Sequence, residues 1–387
     1  MPNAQRLADD LRWLVGHGTH DVLPHWLATV GAASGPFATR VDRQWKLRPD
    51  QVATIVSQGR LVYDFAAGAR LTGDSSYLEA CRRGAEVLLD GFSDPDHGGW
   101  FYALDLGGEV VDDRKDAYGH AFVIFGLSHA HEVTGDGRFS DGASSAWQAV
   151  KDHLVDPAGG VVTHLSREFA GPTDGHRSQN PVMHLFEALL ALWQAGGREE
   201  ARADALALGR FVVEGLIERP GNPLPELYTP TWTPLPEPLG GRIDIGHQFE
   251  WAYLLSRAAE IGLPSDWLPY AEGLLDYAVA HGLHGRTGAI VSPVGLSGDG
   301  LPSSRRGWWE QCEAIRALAN WAVVRDRIEL AATFEGVLRY VQDSFVDPVY
   351  GGWYAALDDD SKGSEWKLDY HVVALCEEAA RLLRHSQ

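Results

Sequence analysis

The sequence predicts an all-α fold, an (α/α)6 barrel with short β-hairpins in the loops at one end. Three observations carry this reading. Amphipathic helical patterns recur about every 62 residues, a second and more apolar helical series runs out of phase with them, and strand signals are confined to short alternating pieces in between. Self-similarity at a fixed period defines architecture before local detail does, and here it predicts a single barrel domain over residues 1–387.

The first series comprises "DVLPHWLATV", "YLEACRRGAEVLLDGF", "AWQAVKDHLVDPAGG", "LGRFVVEGLIERPG", "YAEGLLDYAVAHGLHGRTG" and "ATFEGVLRYVQDSF". Their last apolar residues, Val30, Phe92, Leu154, Leu216, Leu283 and Phe345, stand 62, 62, 62, 67 and 62 residues apart. Two helices and a loop fit that interval at a rise of about 1.5 Å per helical residue. The second series includes "DAYGHAFVIFGLSHAHEV", "NPVMHLFEALLALWQAG" and "GHQFEWAYLLSRAAEIG". These segments are apolar nearly all round, so they are expected to be buried on more than one side, as inner helices. The most visible repeat, D-P-x-x-G-G-W-[F/Y]-x-A-L-D, occurs at Asp94 and again at Asp347. Asp-Pro ends an outer helix, because proline cannot continue it and restrains the residue before. Gly-Gly then permits a tight turn into a hairpin such as "WFYALD". Trp100 and Trp353 are expected to anchor those hairpins by packing.

A chain of 387 residues with a 45% apolar share and 14 Trp can bury a large core. A formal net charge of −20 argues against nucleic acid, which is bound through Lys/Arg–phosphate contacts, and disfavours anionic membrane surfaces. No run approaches the ~18 apolar residues of a membrane span. The N-terminal "MPNAQRLADDLRWLV" lacks a basic region followed by an apolar one, so no signal peptide is expected and a cytoplasmic location is. Cys81, Cys312 and Cys376 make no metal or redox spacing and are expected to be buried free thiols.

Polar residues near the starts of inner helices need a reason. The most prominent are Arg60, His120, His184, His247, Glu310 or Glu313, and His371, again at the barrel period. Residues at one period and one helical depth form a ring at one end of the barrel, where helix N-termini add partial positive charge. His281, His284 and His385 belong to loops or a final turn, and His129 and His131 are expected to face solvent. His184/Glu187 and His247/Glu250 are H-x-x-E pairs on one helical face, able to bind a metal or to orient the imidazole. Orientation is the favoured expectation, since a metal site of this design needs further inward carboxylates.

At this point the residues resemble a known family. "SQGRLVYDF" around Arg60, "KDAYGHAF" with Tyr118 and "NPVMHLFEALLAL" with Asn180, His184 and Glu187 are its first motifs. They are followed by "RIDIGHQFEWAYLL" with Arg242, His247 and Glu250, "RGWWEQCEAIRAL" with Trp308, Trp309, Gln311 and Glu313, and "EWKLDYH" with Trp366 and His371. In this order and nearly end to end, the chain is similar to the N-acylglucosamine 2-epimerase superfamily of (α/α)6-barrel sugar epimerases and aldose–ketose isomerases. The resemblance implies that a free reducing sugar opens its ring at the barrel mouth and loses the C2 proton to a histidine, giving a cis-enediolate. His371 and His247 are the implied acid/base pair, and imidazole suits the task because its pKa lies near operating pH. Arg60 is the candidate cation for the enediolate oxygens, so neither a metal nor another cofactor is expected.

Tyr118, Asn180, His184, Arg242, Glu250, Trp308, Trp309, Gln311, Glu313 and Trp366 are the implied sugar-binding residues. "GHQFEW" resembles the mannose isomerase branch, which implies conversion of D-mannose to D-fructose. The alternatives are 2-epimerisation of D-mannose to D-glucose, or of another aldose of the N-acylglucosamine or cellobiose type. A more distant alternative on the same barrel is an inverting glycoside hydrolase, which needs two carboxylates roughly 6.5–9.5 Å apart. A small sugar is thus the expected partner of a monomer or homodimer.

Overall fold

The structure is a computed structural model that describes residues 2–171, 175–237 and 239–385. The chain opens with α1 (Pro2–His17) and α2 (Leu23–Val30), joined by a π turn at Gly18–Val22 into one outer helix. Inner and outer helices then alternate: α3 (Ile55–Thr72), α4 (Ser75–Glu86), α5 (Ala117–Thr134), α6 (Gly137–His153), α7 (Gln179–Gly196) and α8 (Glu199–Arg210). The alternation continues through α9 (Ile245–Glu260), α10 (Leu268–Gly282), α11 (Trp308–Val324), α12 (Ala331–Ser344) and α13 (Tyr370–His385). π turns at Val87–Gly91 and Phe211–Ile217 extend α4 and α8. The helix ends read from the sequence therefore hold. Val30 is the last residue of α2, and Phe92, Leu154, Leu283 and Phe345 directly follow their helical segments.

The inner helices α3, α5, α7, α9, α11 and α13 pack each on the next, and α13 returns onto α3 to close the ring. Their near-continuous apolar sequences are buried on both flanks, as the patterning requires. Small residues set the closest approach: a Cβ on Gly59 would lie 2.2 Å from the Phe122 carbonyl oxygen, and one on Gly126 would lie 2.9 Å from that of Gly59. Among the described residues no helix is long and apolar enough to cross a membrane. Cys81, Cys312 and Cys376 are buried free thiols.

Strands are short, and several of them deliver the chain into inner helices. Ala53–Thr54 pairs with Ala103–Leu104, Lys115–Asp116 with His164–Leu165, Arg177–Ser178 with Leu227–Tyr228, and Arg242–Ile243 with Ser292–Gly295, all antiparallel. The residue at each strand-to-helix junction is a side-chain cap. Thr54, Asp116, Ser178 and Asp244 accept backbone N–H groups at the starts of α3, α5, α7 and α9, satisfying donors that the helix cannot. The N-terminal ends of the inner helices are thereby fixed at the loop-rich end of the barrel.

The repeated Asp-Pro phrase does more than stop a helix. Gly98 and Gly99, like Gly351 and Gly352, have φ between +64° and +76°, which the turn requires and which glycine adopts without strain. Trp100 and Trp353 are buried as expected, and each indole also donates a hydrogen bond, to the Leu88 carbonyl and to His17 Nε2. The aspartate is the part the sequence reading understated. Asp94 accepts two backbone N–H groups of its own turn and is paired with buried Lys115 at 2.9 Å and with Arg167 at 2.8 Å. Asp347 repeats this with Lys362 at 3.0 Å and Arg43 at 2.9 Å, and Asp156 binds Arg177 Nε at 2.6 Å.

Hydrogen bonds from Arg167, with burial opposing and Lys115 assisting, hold the Asp94 carboxyl below its ordinary range. A depressed carboxylate stabilises the fold above its unfolded pKa of about 3.9, and that contribution is lost as pH falls through the folded value. Asp94→Asn should therefore lower unfolding free energy by about 3–5 kcal/mol at pH 7, the cost of leaving a buried charge without its partner. The loss should shrink towards pH 2, and exposed Asp96→Asn should change little; denaturant unfolding at the two pH values checks this.

Candidate active site

Where the inner helix N-termini converge, a cavity of about 610 Å³ opens. Of the sequence-predicted residues it is lined by Arg60, Tyr118, Asn180, His184, His247 and Glu250, together with Trp308, Trp309, Trp366 and His371. Aromatic faces and polar groups thus enclose a space of sugar size. Six helix N-termini around it favour negative charge.

The two histidines at positions 247 and 371 flank one indole: Trp309 lies 5.0 Å from the His247 ring and 5.6 Å from that of His371, centroid to centroid. Each histidine is turned by its own buried carboxylate. His247 Nδ1 lies 2.7 Å from Glu226 Oε2, and His371 Nδ1 lies 2.7 Å from Glu313 Oε1. In both, Nδ1 faces the carboxylate, which leaves Nε2 as the nitrogen for chemistry. The electrostatics of the two pairs differ. Burial would lower the His247 pKa, but Glu226 and Asp244 more than offset it and raise it to about 10. Gln179 Nε2 (2.9 Å) and Ser178 Oγ (3.1 Å) donate to Glu226 and help to keep it ionised. Burial lowers the His371 pKa well below the ordinary range, and the positive charges of Arg60 and Arg316 lower it further. The surroundings thus favour the charged form of His247 and the neutral form of His371.

Arg60 extends beside them. Its guanidinium donates to the Trp366 carbonyl (2.8 Å) and to Tyr118 Oη (2.7 Å), and lies over the Phe122 ring at 4.5 Å. That anchoring fixes a cation in the cavity wall. Trp366 is 56% exposed at the rim. Glu250 is deeply buried in the cavity wall, and neither of its oxygens has a hydrogen-bond partner among the described residues. Burial, with Glu313 and Glu187 nearby, raises its pKa well above the carboxylate range, so it stands as a neutral acid able to donate a hydrogen bond. His184 Nδ1 faces Glu187 Oε2 at 3.3 Å, the orienting contact expected of the H-x-x-E pair.

Several expectations require correction. Gln311 does not reach the cavity, because its amide is used as a clamp. It accepts from Ile290 N–H and donates to the Ile290 and Gly307 carbonyls, satisfying buried loop backbone. Glu313 lies behind His371 instead of against the sugar space, and Arg242 is exposed on its strand outside the lining. His120 leaves the ring because both nitrogens are occupied, Nδ1 by the Asp116 carbonyl (2.8 Å) and Nε2 by the Trp100 N–H (3.1 Å). His129 is half-buried and lines a separate cavity at the opposite end of the barrel.

Glu226, Gln179 and Arg305 were missed. Glu226 sits in an irregular loop, where helical periodicity gives no signal, but a different regularity points to it. Glu226 and His247 are 21 residues apart, as are the pairs Asp94/Lys115 and Asp156/Arg177. In all three a loop acid is bonded to a residue in, or two residues before, the next inner helix.

Two triplets, His184/Glu187/Glu250 and Glu250/Glu313/His371, bring donor atoms within 4.8 Å of one another. The Arg316 guanidinium already faces Glu313 at 3.5 Å and Glu187 at 3.9 Å, so a fixed cation stands against two of these carboxylates, which fits an acid/base cluster better than a metal site. Of Glu187, Glu250 and Glu313 only Glu250 lines the cavity, so no two of them face each other across a glycosidic bond as an inverting hydrolase requires.

The different tasks of Gln311 and Asn180 can be separated. Gln311→Ala should lower unfolding free energy by about 1–3 kcal/mol per stranded buried backbone group and leave sugar affinity unchanged. Asn180→Ala should weaken sugar binding at nearly unchanged stability; calorimetric titration and denaturant unfolding of both variants check the division.

Comparison with known proteins agrees with this geometry. The profile of the family described as N-acylglucosamine 2-epimerase (GlcNAc 2-epimerase) matches residues 35–374. The cellobiose 2-epimerase of Bacteroides fragilis is 24% identical over 381 residues, covering 93% of this chain and 96% of that protein. The D-mannose isomerase of Thermobifida fusca is 30% identical over 309 residues, covering 76% and 74%. The solved structure of the cellobiose 2-epimerase from Spirochaeta thermophila superposes with a TM-score of 0.88 at 23% identity, over 98% of each chain, and shares the barrel fold. With a family match over residues 35–374, the chain belongs to the N-acylglucosamine 2-epimerase family and is one of its sugar isomerases or 2-epimerases.

Proposed function

We propose that the chain is an aldose–ketose isomerase that converts D-mannose to D-fructose through a cis-enediolate. The observation that carries this reading is the unlike setting of the two cavity histidines, His247 beside Glu226 and Asp244, and His371 beside Glu313 with Arg60 and Arg316 near, which favours opposite charges on them. An isomerase needs one base to take the C2 proton and return it to C1, and an acid that serves the carbonyl oxygen. Neutral His371 fits the first role and cationic His247 the second. A 2-epimerase working in both directions needs each of two bases neutral in turn, and a histidine with a pKa of about 10 is seldom neutral at pH 7.

In the proposed sequence the opened sugar places C2 near His371 Nε2, which removes the proton while Glu313 supports the imidazolium that forms. Negative charge develops on O1, where Arg60 and the inner helix N-termini oppose it and His247 donates a proton to give the enediol. His371 then returns its proton to C1 while the O2 hydroxyl gives its proton back to His247, which leaves the C2 carbonyl of the ketose and both histidines as they began. Asn180, His184 and Glu250 supply hydrogen bonds for hydroxyl groups, and Tyr118, Trp308, Trp309 and Trp366 supply flat apolar faces. The "GHQFEW" segment and the 30% identity to a D-mannose isomerase support mannose as the substrate.

One observation favours a second reading, 2-epimerisation of a disaccharide of the cellobiose type. A further cavity of about 600 Å³ adjoins the first and shares Arg305, Trp308 and Trp309 with it, which leaves room for a second sugar ring.

Incubation in deuterated water with D-mannose and, separately, cellobiose tests both readings. The proposal expects fructose from mannose, with glucose slower and cellobiose unchanged. Epimerised cellobiose with inert mannose establishes the second reading, and absence of C2–H exchange in either sugar overturns the enediolate route. His371→Ala and His247→Ala should each lose about 10²–10⁴ of the rate, as expected for a missing acid or base.

A further inference from the structure

The sugar cavity and the cavity at the opposite end of the barrel are separated by a thin layer of buried charge. Arg316, one helical turn after Glu313 on α11, lies in that layer and lines the far cavity, not the sugar cavity. Its side chain is only 8% exposed, and the guanidinium lies flat on the Tyr253 ring at 3.9 Å. Nη1 stands 3.5 Å from Glu313 Oε2 and 3.9 Å from Glu187 Oε1, yet Nε and Nη1 make no hydrogen bond among the described residues. The two carboxylates it faces are those that orient His371 and His184. Three carboxylates, Glu187, Glu250 and Glu313, crowd this layer, and Arg316 is the cation set against two of them from behind.

From this juxtaposition we propose that Arg316 is a positioning residue for the base: without touching the sugar, it holds Glu313 as a carboxylate, so that His371 carries its proton on Nδ1 and offers a bare Nε2 to the substrate. The inference rests on the isomerase/epimerase reading of His371. Its chemistry is a question of tautomer. An ionised Glu313 accepts from His371 Nδ1–H. A protonated Glu313 donates to Nδ1 instead, the imidazole proton moves to Nε2, and the nitrogen facing the sugar can no longer accept a proton.

The groups facing Glu313 decide which form prevails. Burial disfavours ionisation most, and Glu187 on α7 adds to it. Arg316 on its own helix favours it most, His184 on α7 assists, and His371 Nδ1 on α13 faces the carboxyl at 2.7 Å. Burial dominates, and with Arg316 in place the Glu313 pKa stands at about 7, within reach of a single neighbouring charge. Removing a cation raises a carboxylate pKa, so loss of Arg316 should keep Glu313 protonated to higher pH and move the acidic limb of activity upward.

Arg316→Met and Arg316→Lys test the proposal in the full-length protein. For Arg316→Met the expected result at pH 7 is a 10- to 100-fold fall in kcat with KM within about threefold, partial recovery by pH 9, and partial rescue by the lysine variant. A reaction-independent measurement accompanies it: ¹⁵N NMR of the free protein at pH 8 should show the His371 proton mainly on Nδ1 in the wild type and mainly on Nε2 in Arg316→Met. Unchanged kcat and pH profile, a loss equal at every pH, or an unchanged His371 tautomer overturns the proposal. If wild-type protein leaves every tested sugar unexchanged while the tautomer moves as stated, the reaction assignment fails and the role of Arg316 stands.

Discussion

The site depends on one kind of contact used twice, a buried carboxylate 2.7 Å from the Nδ1 of a buried histidine. Equal distances lead to opposite charges because the surroundings differ. Glu226 receives hydrogen bonds from Gln179 and Ser178, and Asp244 adds negative charge near His247, so the ion pair is favoured there. His371 instead has Arg60 and Arg316 around it, which disfavour a further positive charge. Two imidazoles of ordinary chemistry are thereby assigned different protonation states, one able to give a proton and one able to take it.

The barrel makes this arrangement affordable in physical terms. Burying polar groups without partners costs free energy, and most of those that deliver the chain to this end are satisfied. Side-chain caps fix the starts of α3, α5, α7 and α9, Gln311 closes the backbone before α11, and the Asp94 and Asp347 clamps tie loop turns to buried lysines. One exception is Glu250, buried against the sugar cavity without a hydrogen-bond partner among the described residues. An unsatisfied acid at the wall of a site is available to a ligand hydroxyl, whereas the same group elsewhere would be a defect.

Much of the fold was legible because period and amphipathicity report directly on helix ends and buried faces. Val30, Phe92, Leu154 and Phe345 could be placed from spacing alone. The histidine ring was legible for the same reason, but periodicity gives only the depth of a residue along its helix and not what its side chain meets. His120 and His247 occupy equivalent places; a backbone amide occupies the Nε2 of one, and the other opens to the cavity. Gln311 could not be told from a sugar ligand because its partner is loop backbone 21 residues earlier. Glu226 was hidden in a loop of irregular composition, and Arg316 reads from sequence as an ordinary charge on a helix until its depth in the barrel is known.

The central claim is the unequal protonation of the two histidines, and imidazole ¹⁵N NMR of the wild-type protein at pH 7.5 measures it most directly. The account predicts that His247 carries protons on both ring nitrogens and that His371 carries one, on Nδ1. Two neutral rings, two charged rings, or the reverse assignment would contradict it.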